Sequence, residues 1–271
     1  MLRSGVLSTS GEGNEMTPLP YPLSACGEGV GGEVKIFTSR RLSMMRKLSV
    51  YTLLLPLVLC IGCSGRKQPM DKTLIGYWTF DELSANGEQT PDASGNSRHG
   101  CLHGQTLVDG VIGKAIRFEG YDQIIELGDI GVSAPVTVAF WVKTNDVFRD
   151  RRLFSPMDGP GSRAGALRFD GTQLEIWDGG GWQALLDRSI RINTWMHVAV
   201  VYDEGGKTAG YLNGVRQRLV RCGFDFNGVG AAIGAQFPPG EGNLFTGALD
   251  DFRIYSRALE SEEIQRMCSE R

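Results

Sequence analysis

Hydrophobic and polar residues alternate with a period of two along most of the chain after its first quarter. In the segment Val136–Val142, the valines and Phe140 share one face, and the remaining residues, including Trp141, share the other. Both faces are largely apolar, and a strand with two apolar faces is covered on both sides. The pattern therefore predicts a central strand here, and Trp195–Tyr202 is predicted to be a second strand of this kind.

Shorter strands are predicted where brief apolar or alternating runs stand between turn residues. They are Ile75–Phe80, Ala115–Phe118, Ile124–Leu127, Ala166–Phe169, Leu174–Trp177, Gly210–Leu212, Ala231–Ile233 and Ala248–Tyr255. Asn-Gly and Asp-Gly pairs favour the positive-φ turns that match the twist of two paired strands. Asn213-Gly214 is the clearest such pair, so a hairpin is predicted there.

A single helix is predicted near the C-terminus. Ser261 can cap its first turn, and Glu262 with Glu263 suits the positive end of the helix dipole. Ile264 and Met267 lie three positions apart and form an apolar stripe. Many short strands followed by one terminal helix indicate an all-β fold, either a sandwich or a jelly roll.

The segment 44–63 has the character of a bacterial signal peptide. Two basic residues precede Leu48–Ile61, a mostly apolar stretch of 14 residues. A helix of that length reaches about 21 Å, less than the roughly 30 Å hydrocarbon core of a bilayer. The ending Cys60-Ile61-Gly62-Cys63 resembles a lipoprotein lipobox, although Cys60 replaces the usual leucine. Cys63 is therefore the predicted lipidation site, and the alternatives are an uncleaved anchor or ordinary cleavage.

Residues 1–43 precede this signal and show no sustained periodicity. A signal peptide acts from the N-terminus, so either translation starts at Met44 or Met45, or residues 1–43 form a cytoplasmic tail. We favour the misplaced start and expect no ordered structure there. Residues 64–73 are predicted to be a tether and 74–268 the folded domain, exported to the cell envelope on the periplasmic or the surface side.

Charge and cysteine content limit the possible partners. The chain carries 28 Lys and Arg against 31 Asp and Glu, a formal net charge of −3. This balance lacks the basic excess that holds a phosphate backbone, so nucleic acid is not an expected partner. Beyond Cys63 the exported part contains Cys101, Cys222 and Cys268, which allow at most one disulfide. The sequence leaves open which two pair, and some or all of them can be buried small hydrophobes.

Seven short segments occur in a fixed order between Leu74 and Met267. They are Gly76–Glu82, Asp92–Asn96 with His99-Gly100, Gly113–Phe118, Val138–Val142, Trp195–Asp203, Tyr211–Gly214 and Gly247–Leu259. Together they resemble the laminin-G-like domains of the concanavalin A-like lectin/glucanase superfamily. The resemblance implies a jelly roll of two antiparallel sheets packed face to face, with the first and last strands adjacent. It implies little about function, because this fold hosts lectins, glycan-binding modules, enzymes and adhesion domains.

The resemblance also implies a structural calcium ion that joins an early loop to the last strand. Asp92 and Asn96 provide hard oxygen ligands in that loop, and Asp250-Asp251 begins the last strand. Alternation along the strand directs one of these two carboxylates towards a buried face, where it needs a partner. Asp81 is an additional candidate ligand. The alternatives are an Asx turn at Asp92 and a solvated strand end at Asp250-Asp251.

No catalytic motif is evident in the sequence. Hydrolases of the superfamily carry Glu-x-Asp-x-x-Glu on one strand, and Glu126-Leu-Gly-Asp129 does not have that spacing. Ser162 lacks the glycine of a nucleophile elbow, because Pro160 stands in its place. His197 is interpreted as a satisfied group of the core or of a sheet edge. The protein is therefore not expected to be an enzyme.

Loop aromatics are the remaining candidates for ligand contact. Trp177 and Trp182 flank Asp178-Gly-Gly-Gly181, which places two indoles near one predicted hairpin tip, and Tyr121 stands in another loop. Aromatic rings stack on the C–H faces of sugars, so these three residues are the candidate binding residues. The alternative is that the rings cover the core. The three remaining tryptophans are Trp78, Trp141 and Trp195, which lie within predicted strands and are expected in the core.

These observations predict a lipid-anchored extracytoplasmic domain that binds a glycan, or another cell-surface ligand, without catalysis. The first alternative is a structural or adhesion domain with a protein partner. The second is a polysaccharide hydrolase or lyase with an unrecognised site. The sequence leaves the oligomeric state open.

Overall fold

The computed structural model of the protein describes residues 71–121, 123–158, 163–236 and 243–270, and within these it contains sixteen strands and one helix. The strands are β1 (Leu74–Trp78), β2 (Gln89–Thr90), β3 (Gly100–Leu102), β4 (Thr106–Asp109), β5 (Lys114–Glu119), β6 (Ile125–Asp129), β7 (Val136–Thr144), β8 (Arg151–Pro156), β9 (Leu167–Asp170), β10 (Gln173–Trp177), β11 (Trp182–Ala184), β12 (Met196–Tyr202), β13 (Lys207–Leu212), β14 (Val215–Arg221), β15 (Gly230–Ile233) and β16 (Thr246–Tyr255); the helix is α1 (Ser261–Ser269). The segments 1–43, 44–63 and most of the predicted tether lie outside the described residues.

Two antiparallel sheets of eight strands form the domain. Sheet 1 has the order β14-β13-β12-β7-β16-β5-β4, with β1 also paired to β16, and sheet 2 has the order β11-β10-β9-β8-β15-β6-β3-β2. Side chains of both sheets meet in one core, in which the Phe154 and Phe252 rings lie 5.7 Å apart. The predicted antiparallel sandwich and the adjacency of the first and last strands are confirmed.

The central position of β7 follows from its two apolar faces. The strand lies between β12 and β16 in the middle of sheet 1, as predicted. Val138 and Phe140 point into the core between the sheets. Ala139 points outward into a second cluster, which includes Tyr255 and Ile264 of α1. The helix thus covers part of the outward face of sheet 1, and its cover explains why β7 is apolar on both sides.

A bulge in β16 corrects the expected alternation at Asp250-Asp251. Leu249 and Phe252 both point into the core. In a regular strand one residue lies between two inward-pointing residues, but here Asp250 and Asp251 both lie between them. Asp251 provides the extra position, with a φ of 51°. Neither carboxylate therefore shares the core face of Phe252, although both side chains are buried on the outward side.

The helix begins one residue earlier than predicted. Glu260, not Ser261, is the N-cap, because its backbone N–H donates to the Glu263 carboxylate at 2.9 Å. Glu263 is in turn held by the guanidinium of Arg257, at 2.7 and 2.8 Å. Ser261 instead has its hydroxyl 3.2 Å from that of Tyr211 on β13.

The predicted strands are all present, with ends shifted by a few residues. Asn213 and Gly214 both have positive φ, of 50° and 77°, so the predicted β13–β14 hairpin turn is confirmed. Six strands have no counterpart in the prediction. These are β2, β3, β4, β8, β11 and β14, which are short, polar or both.

Candidate functional site

The outward face of sheet 2 is built by strict alternation on β9 and β10. Leu174 and Ile176 point into the core, so Glu175 and Trp177 between and beyond them point outward. Arg168 on β9 lies directly opposite Glu175, and Arg152 on β8 lies opposite Arg168. Three charged side chains therefore form a ladder across neighbouring strands.

Ion pairs fix the two arginines of this ladder. The Arg168 guanidinium binds the Glu175 carboxylate at 2.8 and 3.0 Å, and it also binds Asp150 at 3.0 Å. Arg152 binds the same Asp150 oxygen at 2.9 Å. These side chains are only partly exposed, so the pairs are screened less than surface pairs.

The two arginines also contact Trp182. Their guanidinium carbons lie 4.5 Å (Arg152) and 4.2 Å (Arg168) from the centroid of its ring, within the distance of cation–π attraction. Trp177 lies opposite Trp182 in the β10–β11 pair, with ring centroids 5.4 Å apart. We call Arg152, Arg168, Trp177 and Trp182 the tryptophan–arginine cluster.

The hairpin that joins the two tryptophans is held by Asp178. Its carboxylate accepts the N–H groups of Gly180 at 2.8 Å and Gly181 at 2.7 Å and also accepts from the Gln183 amide. These hydrogen bonds lower the pKa of Asp178 below its ordinary value. The turn is therefore closed by its own first residue, and the two indoles are half-buried rather than free at the tip.

Tyr121 lies apart from this cluster. It stands in the loop between β5 and β6, its side chain is 75% exposed, and among the described residues it has no ring contact with Trp177 or Trp182. The structure therefore brings two of the three candidate aromatics together. The role of each in ligand binding stays a prediction.

Asp92 organises a turn against β1. Although burial raises its pKa, hydrogen bonds from Ser94, Tyr77 and Arg98 lower it below the ordinary value. One carboxylate oxygen accepts the N–H groups of Tyr77 and Ser94, and the other accepts the Ser94 hydroxyl and the Arg98 N–H. Asn96 donates to the carbonyls of Leu74 and Ile75 at 2.8 and 3.0 Å. The four donors leave little of the Asp92 carboxylate for a cation.

Asp250 and Asp251 belong to different hydrogen-bond networks. Asp250 Oδ2 accepts the N–H groups of Val111 and Ile112 at 2.7 and 3.0 Å, while its Oδ1 is buried and has no hydrogen-bond partner in the described part of the chain. Burial raises the pKa of Asp250 to about 6, and the charges of Asp251 and Asp81 contribute. Asp251 accepts from the Tyr77 hydroxyl and lies 3.5 Å from the Arg253 guanidinium.

The predicted calcium ligands therefore do not form one donor set. Asp81 accepts the Lys114 N–H at 2.8 Å and lies near Asp250, whereas Asp92 and Asn96 bind the backbone around β1. Within the described ranges, no group of three or more His, Cys, Asp or Glu side chains could hold a metal ion. Calcium stays a prediction of the sequence, and the unpartnered Asp250 Oδ1 is the one atom here that favours it.

His197 and Trp141 lie on the outward face of sheet 1 beneath the same cover. The two rings pack edge to face at 5.3 Å, and both residues are buried. Burial, with the charge of Arg253, lowers the pKa of His197 to about 4. His197 is a buried sheet residue as interpreted, but its Nδ1 has no hydrogen-bond partner among the described residues.

Two further residues depart from expectation. Trp195 precedes β12 instead of lying in it, and its ring is only partly buried beside a cavity, so its assignment to the core was wrong. The two other tryptophans expected in the core, Trp78 and Trp141, are buried. Cys222 is a buried free thiol whose pKa burial raises to about 11, so the single possible disulfide does not use it.

Neither arginine of the tryptophan–arginine cluster was identified from the sequence. A signal existed, because Arg168 and Glu175 are placed symmetrically about the Gly171-Thr172 turn and face each other in a two-residue hairpin there. Arg152 was missed because β8 opens with two arginines and was not recognised as a strand.

No helix in the described segments is long and apolar enough to span a bilayer.

A family model described as the concanavalin A-like lectin/glucanases superfamily matches residues 119–265, more than half of the chain. Among curated proteins none matches significantly.

Three solved structures have a similar fold. Domain 4 of AbnA, a GH43 extracellular arabinanase from Geobacillus stearothermophilus, in complex with arabinotriose, is 24% identical with a TM-score of 0.58, over 72% of this chain and 98% of that chain. The binding domain of Paraclostridial Mosquitocidal Protein 1 is 21% identical with a TM-score of 0.56, over 74% and 52%. Trypanosoma rangeli sialidase in complex with sialic acid is 15% identical with a TM-score of 0.55, over 73% and only 33%. At these identities the likeness extends to the fold alone.

Proposed function

Because the chain belongs to the concanavalin A-like lectin/glucanases superfamily, we propose that it is a non-catalytic carbohydrate-binding domain whose binding surface is the tryptophan–arginine cluster on sheet 2. The arabinanase domain of similar fold was solved with a bound arabinotriose, and this supports a sugar as the ligand. The proposal concerns the domain of residues 74–268.

The observation that supports this surface most directly is the contact of two fixed guanidinium groups with Trp182. Ion pairs with Asp150 and Glu175 hold both arginines in place before any ligand binds. A sugar at this position contacts an aromatic ring, which suits its C–H faces. It also contacts guanidinium donors and carboxylate acceptors, which suit its hydroxyl groups. Preorganised groups lose little side-chain entropy on binding, so each contact with the ligand contributes more to the net free energy of binding.

Catalysis is not proposed for this surface. A glycosidase of the two-carboxylate type needs an acid that presents a proton and a second carboxylate across a gap from it. Asp150 and Glu175 instead both bind Arg168, at 3.0 and 2.8 Å. Both carboxylates are therefore used to fix the arginine.

A protein partner is the second candidate. Tryptophan and arginine are the residues that dominate binding energy in protein interfaces, and here they are neighbours. A glycan array with the purified protein distinguishes the two candidates. A protein ligand gives no signal on the array, whereas a glycan ligand gives one that free oligosaccharide competes away.

The residue-level test is Trp182→Ala. Loss of the ring should weaken glycan binding by roughly 1–3 kcal/mol, by analogy with aromatic stacking on nucleobases. Phe148→Ala is the matched control, because Phe148 is an aromatic residue that is 63% exposed in another loop. Equal affinity of Trp182→Ala and the parent protein in a calorimetric titration would remove this surface from the proposal.

We also propose that Cys63 carries the lipid anchor and that the domain is exported to the cell envelope. The support is the order of features in segment 44–63, in which two basic residues are followed by an apolar stretch and then by Gly62-Cys63. A Cys63→Ser variant should lose acylation and move from the membrane fraction to the soluble extract. Unchanged fractionation of that variant would overturn the anchor.

A further inference from the structure

A cavity of about 720 Å³ lies beside the β12–β14 edge of sheet 1. The segment before β12 and the β13–β14 hairpin enclose it. Its lining includes Arg188, Arg191, Arg216 and the partly buried ring of Trp195. We call this space the arginine cavity; it is distinct from the tryptophan–arginine cluster on sheet 2.

The arginine cavity has an uncompensated positive charge. None of its three arginines forms an ion pair with a residue of the described ranges. Asp187 is the one acidic side chain in the lining, and its carboxylate already binds Arg218 at 2.8 Å. Elsewhere in the described domain most arginines are paired: Arg149, Arg152, Arg163, Arg168, Arg253 and Arg257 each meet a carboxylate. The arginine cavity therefore differs from the rest of the described domain, because three unpaired arginines line it.

A second cavity lies close to Trp195. It measures about 360 Å³, and its lining includes Lys143, Arg117 and Asp109. Arg117 is neutralised by Glu119 at 3.2 Å and Asp109 by Lys114 at 2.8 Å, but Lys143 has no carboxylate partner within the described part of the chain. The Lys143 ammonium lies 5.7 Å from the centre of the Trp195 ring. Trp195 therefore lines the arginine cavity and also lies near an unpaired ammonium group.

We propose that the arginine cavity binds an acidic sugar of an oligosaccharide, through its carboxylate or sulfate group, with the sugar ring against Trp195. Guanidinium groups bind such oxyanions in a bidentate manner, and they are less costly to desolvate than ammonium groups. The half-exposed indole provides the apolar face that a pyranose needs. Lys143, which lies 5.7 Å from the centre of the same ring, suits a second acidic residue of the same oligosaccharide.

A nucleic acid is a poorer match for the same groups. Residues 64–271 carry 22 Lys and Arg against 27 Asp and Glu, so a long polyanion meets repulsion beyond the cavity. Affinity for a phosphate backbone grows with the number of phosphates neutralised, and few cations lie along one track here. A short acidic oligosaccharide places one or two of its acidic groups against the three arginines and Lys143, and the rest of its charge does not have to follow the acidic surface beyond the cavity.

The test is calorimetric titration of the full chain with a galacturonic acid hexasaccharide and with the methyl-esterified form of that hexasaccharide. The free acid should bind, and the ester, in which an uncharged methyl ester replaces each carboxylate, should bind at least about tenfold more weakly. Binding should also weaken as salt is raised. A heparin hexasaccharide in a parallel titration distinguishes sulfate from carboxylate, and binding of either acid supports the proposal. Equal binding of ester and acid, or no binding of any acidic sugar, overturns it.

Two variants locate the effect. Arg191→Gln with Arg216→Gln should weaken binding of the acidic hexasaccharide at least about tenfold. Arg149→Gln is the control, because Arg149 is an exposed arginine that pairs with Asp170 and does not line the cavity. Trp182→Ala should leave this affinity unchanged, which separates the arginine cavity from the proposed sheet 2 surface. Equal loss in the control, or loss with Trp182→Ala alone, overturns the location.

A third variant tests the sugar. Trp195→Ala should weaken binding of the acidic hexasaccharide, and a single-stranded DNA hexamer should bind the parent protein more weakly than this sugar does. Melting curves of each variant confirm that it is folded. A DNA hexamer that binds as tightly as the sugar and depends on the same arginines overturns the assignment to an acidic sugar.

Discussion

The outward faces of the two sheets differ in how their side chains are satisfied: those of sheet 1 are covered, and those of sheet 2 pair with one another. On sheet 1, small and apolar side chains such as Ala139 and Ala199 are fully buried under α1 and the residues that lead into it. On sheet 2, the equivalent outward positions of β8–β10 hold Arg152, Arg168 and Glu175, which pair with one another or with Asp150. A sheet face without a covering element has to satisfy its own polar groups. The same groups are then available to a ligand, so the uncovered face is where function is expected.

The largest expected effect comes from removing the cover of sheet 1. Ile264 is the fully buried residue of α1, packed into the outward cluster. Ile264→Ala should lower the free energy of unfolding by about 2–5 kcal/mol, because a cavity replaces its side chain. Urea denaturation measures this value. A change below about 1 kcal/mol would mean that the helix does not stabilise the sheet.

The next effect is a pH dependence that belongs to the covered face. His197 has a pKa of about 4 in the folded protein and about 6.5 when unfolded. Between these values the unfolded chain binds a proton that the folded chain does not, so stability falls as pH is lowered from about 6.5 to 4. The loss is on the order of 3 kcal/mol. Asp250, whose pKa burial raises to about 6, acts in the opposite direction, because its contribution is lost as pH rises through that value.

A His197→Leu variant should therefore show a shallower decline of stability over the same pH range. Chemical denaturation at pH 4.5 and 7 gives the slope. His103→Gln is the control, since His103 is partly exposed and pairs with Glu126 at 3.0 Å. Parallel slopes for the parent protein and His197→Leu would assign the acid sensitivity to other groups.

A cation would act on the same covered face, through the unpartnered Asp250 Oδ1. We expect EDTA to lower the melting temperature and calcium to restore it. An ion that binds only the folded state stabilises it by about 2.7 kcal/mol at a hundredfold excess over Kd. Magnesium should be less effective, because it needs a tighter octahedral shell. An Asp250→Asn, Asp251→Asn double variant should lose the calcium response.

Asp92→Ala sharpens that experiment. The variant loses four hydrogen bonds and should be less stable, whatever the ion does. If its melting temperature no longer responds to calcium, Asp92 shares the ion with the last strand as the sequence predicts. A melting curve of the parent protein that is identical with EDTA and with calcium would instead leave all these residues as structural groups.

The smallest expected effect on stability is that of Trp182→Ala on the uncovered face. The half-buried ring lies outside all three apolar clusters of the described domain, so its loss should change the free energy of unfolding by about 1 kcal/mol or less. Thermal melting beside Ile264→Ala gives the direct comparison. A loss as large as that of Ile264→Ala would identify Trp182 as core and remove the contrast between the two faces.

The alternation of apolar and polar residues predicts the strands in which every second side chain is buried. It fails where a bulge interrupts the strand or where the strand has no apolar face. The sequences of β7 and β12 are apolar on both faces, and no other element fits such a run of that length. The bulge at Asp251 cannot be identified from two consecutive aspartates, because its cause is the pairing of β16 with strands on both sides. The edge strand β14 was missed because its arginines and Gln217 leave no alternation to detect.

The candidate sites show the same limit. The glycine-rich turn that begins at Asp178 predicts that Trp177 and Trp182 are neighbours, and the two residues are indeed paired across the hairpin. The contacts of Trp182 with Arg152 come from a third strand, and no local pattern connects them. The arginine cavity depends on segments that meet only in three dimensions, so Trp195 was assigned to the core by its position beside an apolar strand.

The pairing of β1 with β16 sets the order in which the domain can assemble. Tyr77 and Arg253 are neighbours in the sheet but 176 positions apart in the chain. Since β16 also lies between β5 and β7, sheet 1 is divided into three parts until the last strand is in place: β14 to β7, β5 with β4, and β1 alone. Such distant closure makes folding slow relative to domains with local contacts. A chain emerging from a ribosome or a translocation pore therefore cannot complete this domain until its C-terminal end is free, and a chain truncated before Thr246 leaves three strands without their partner.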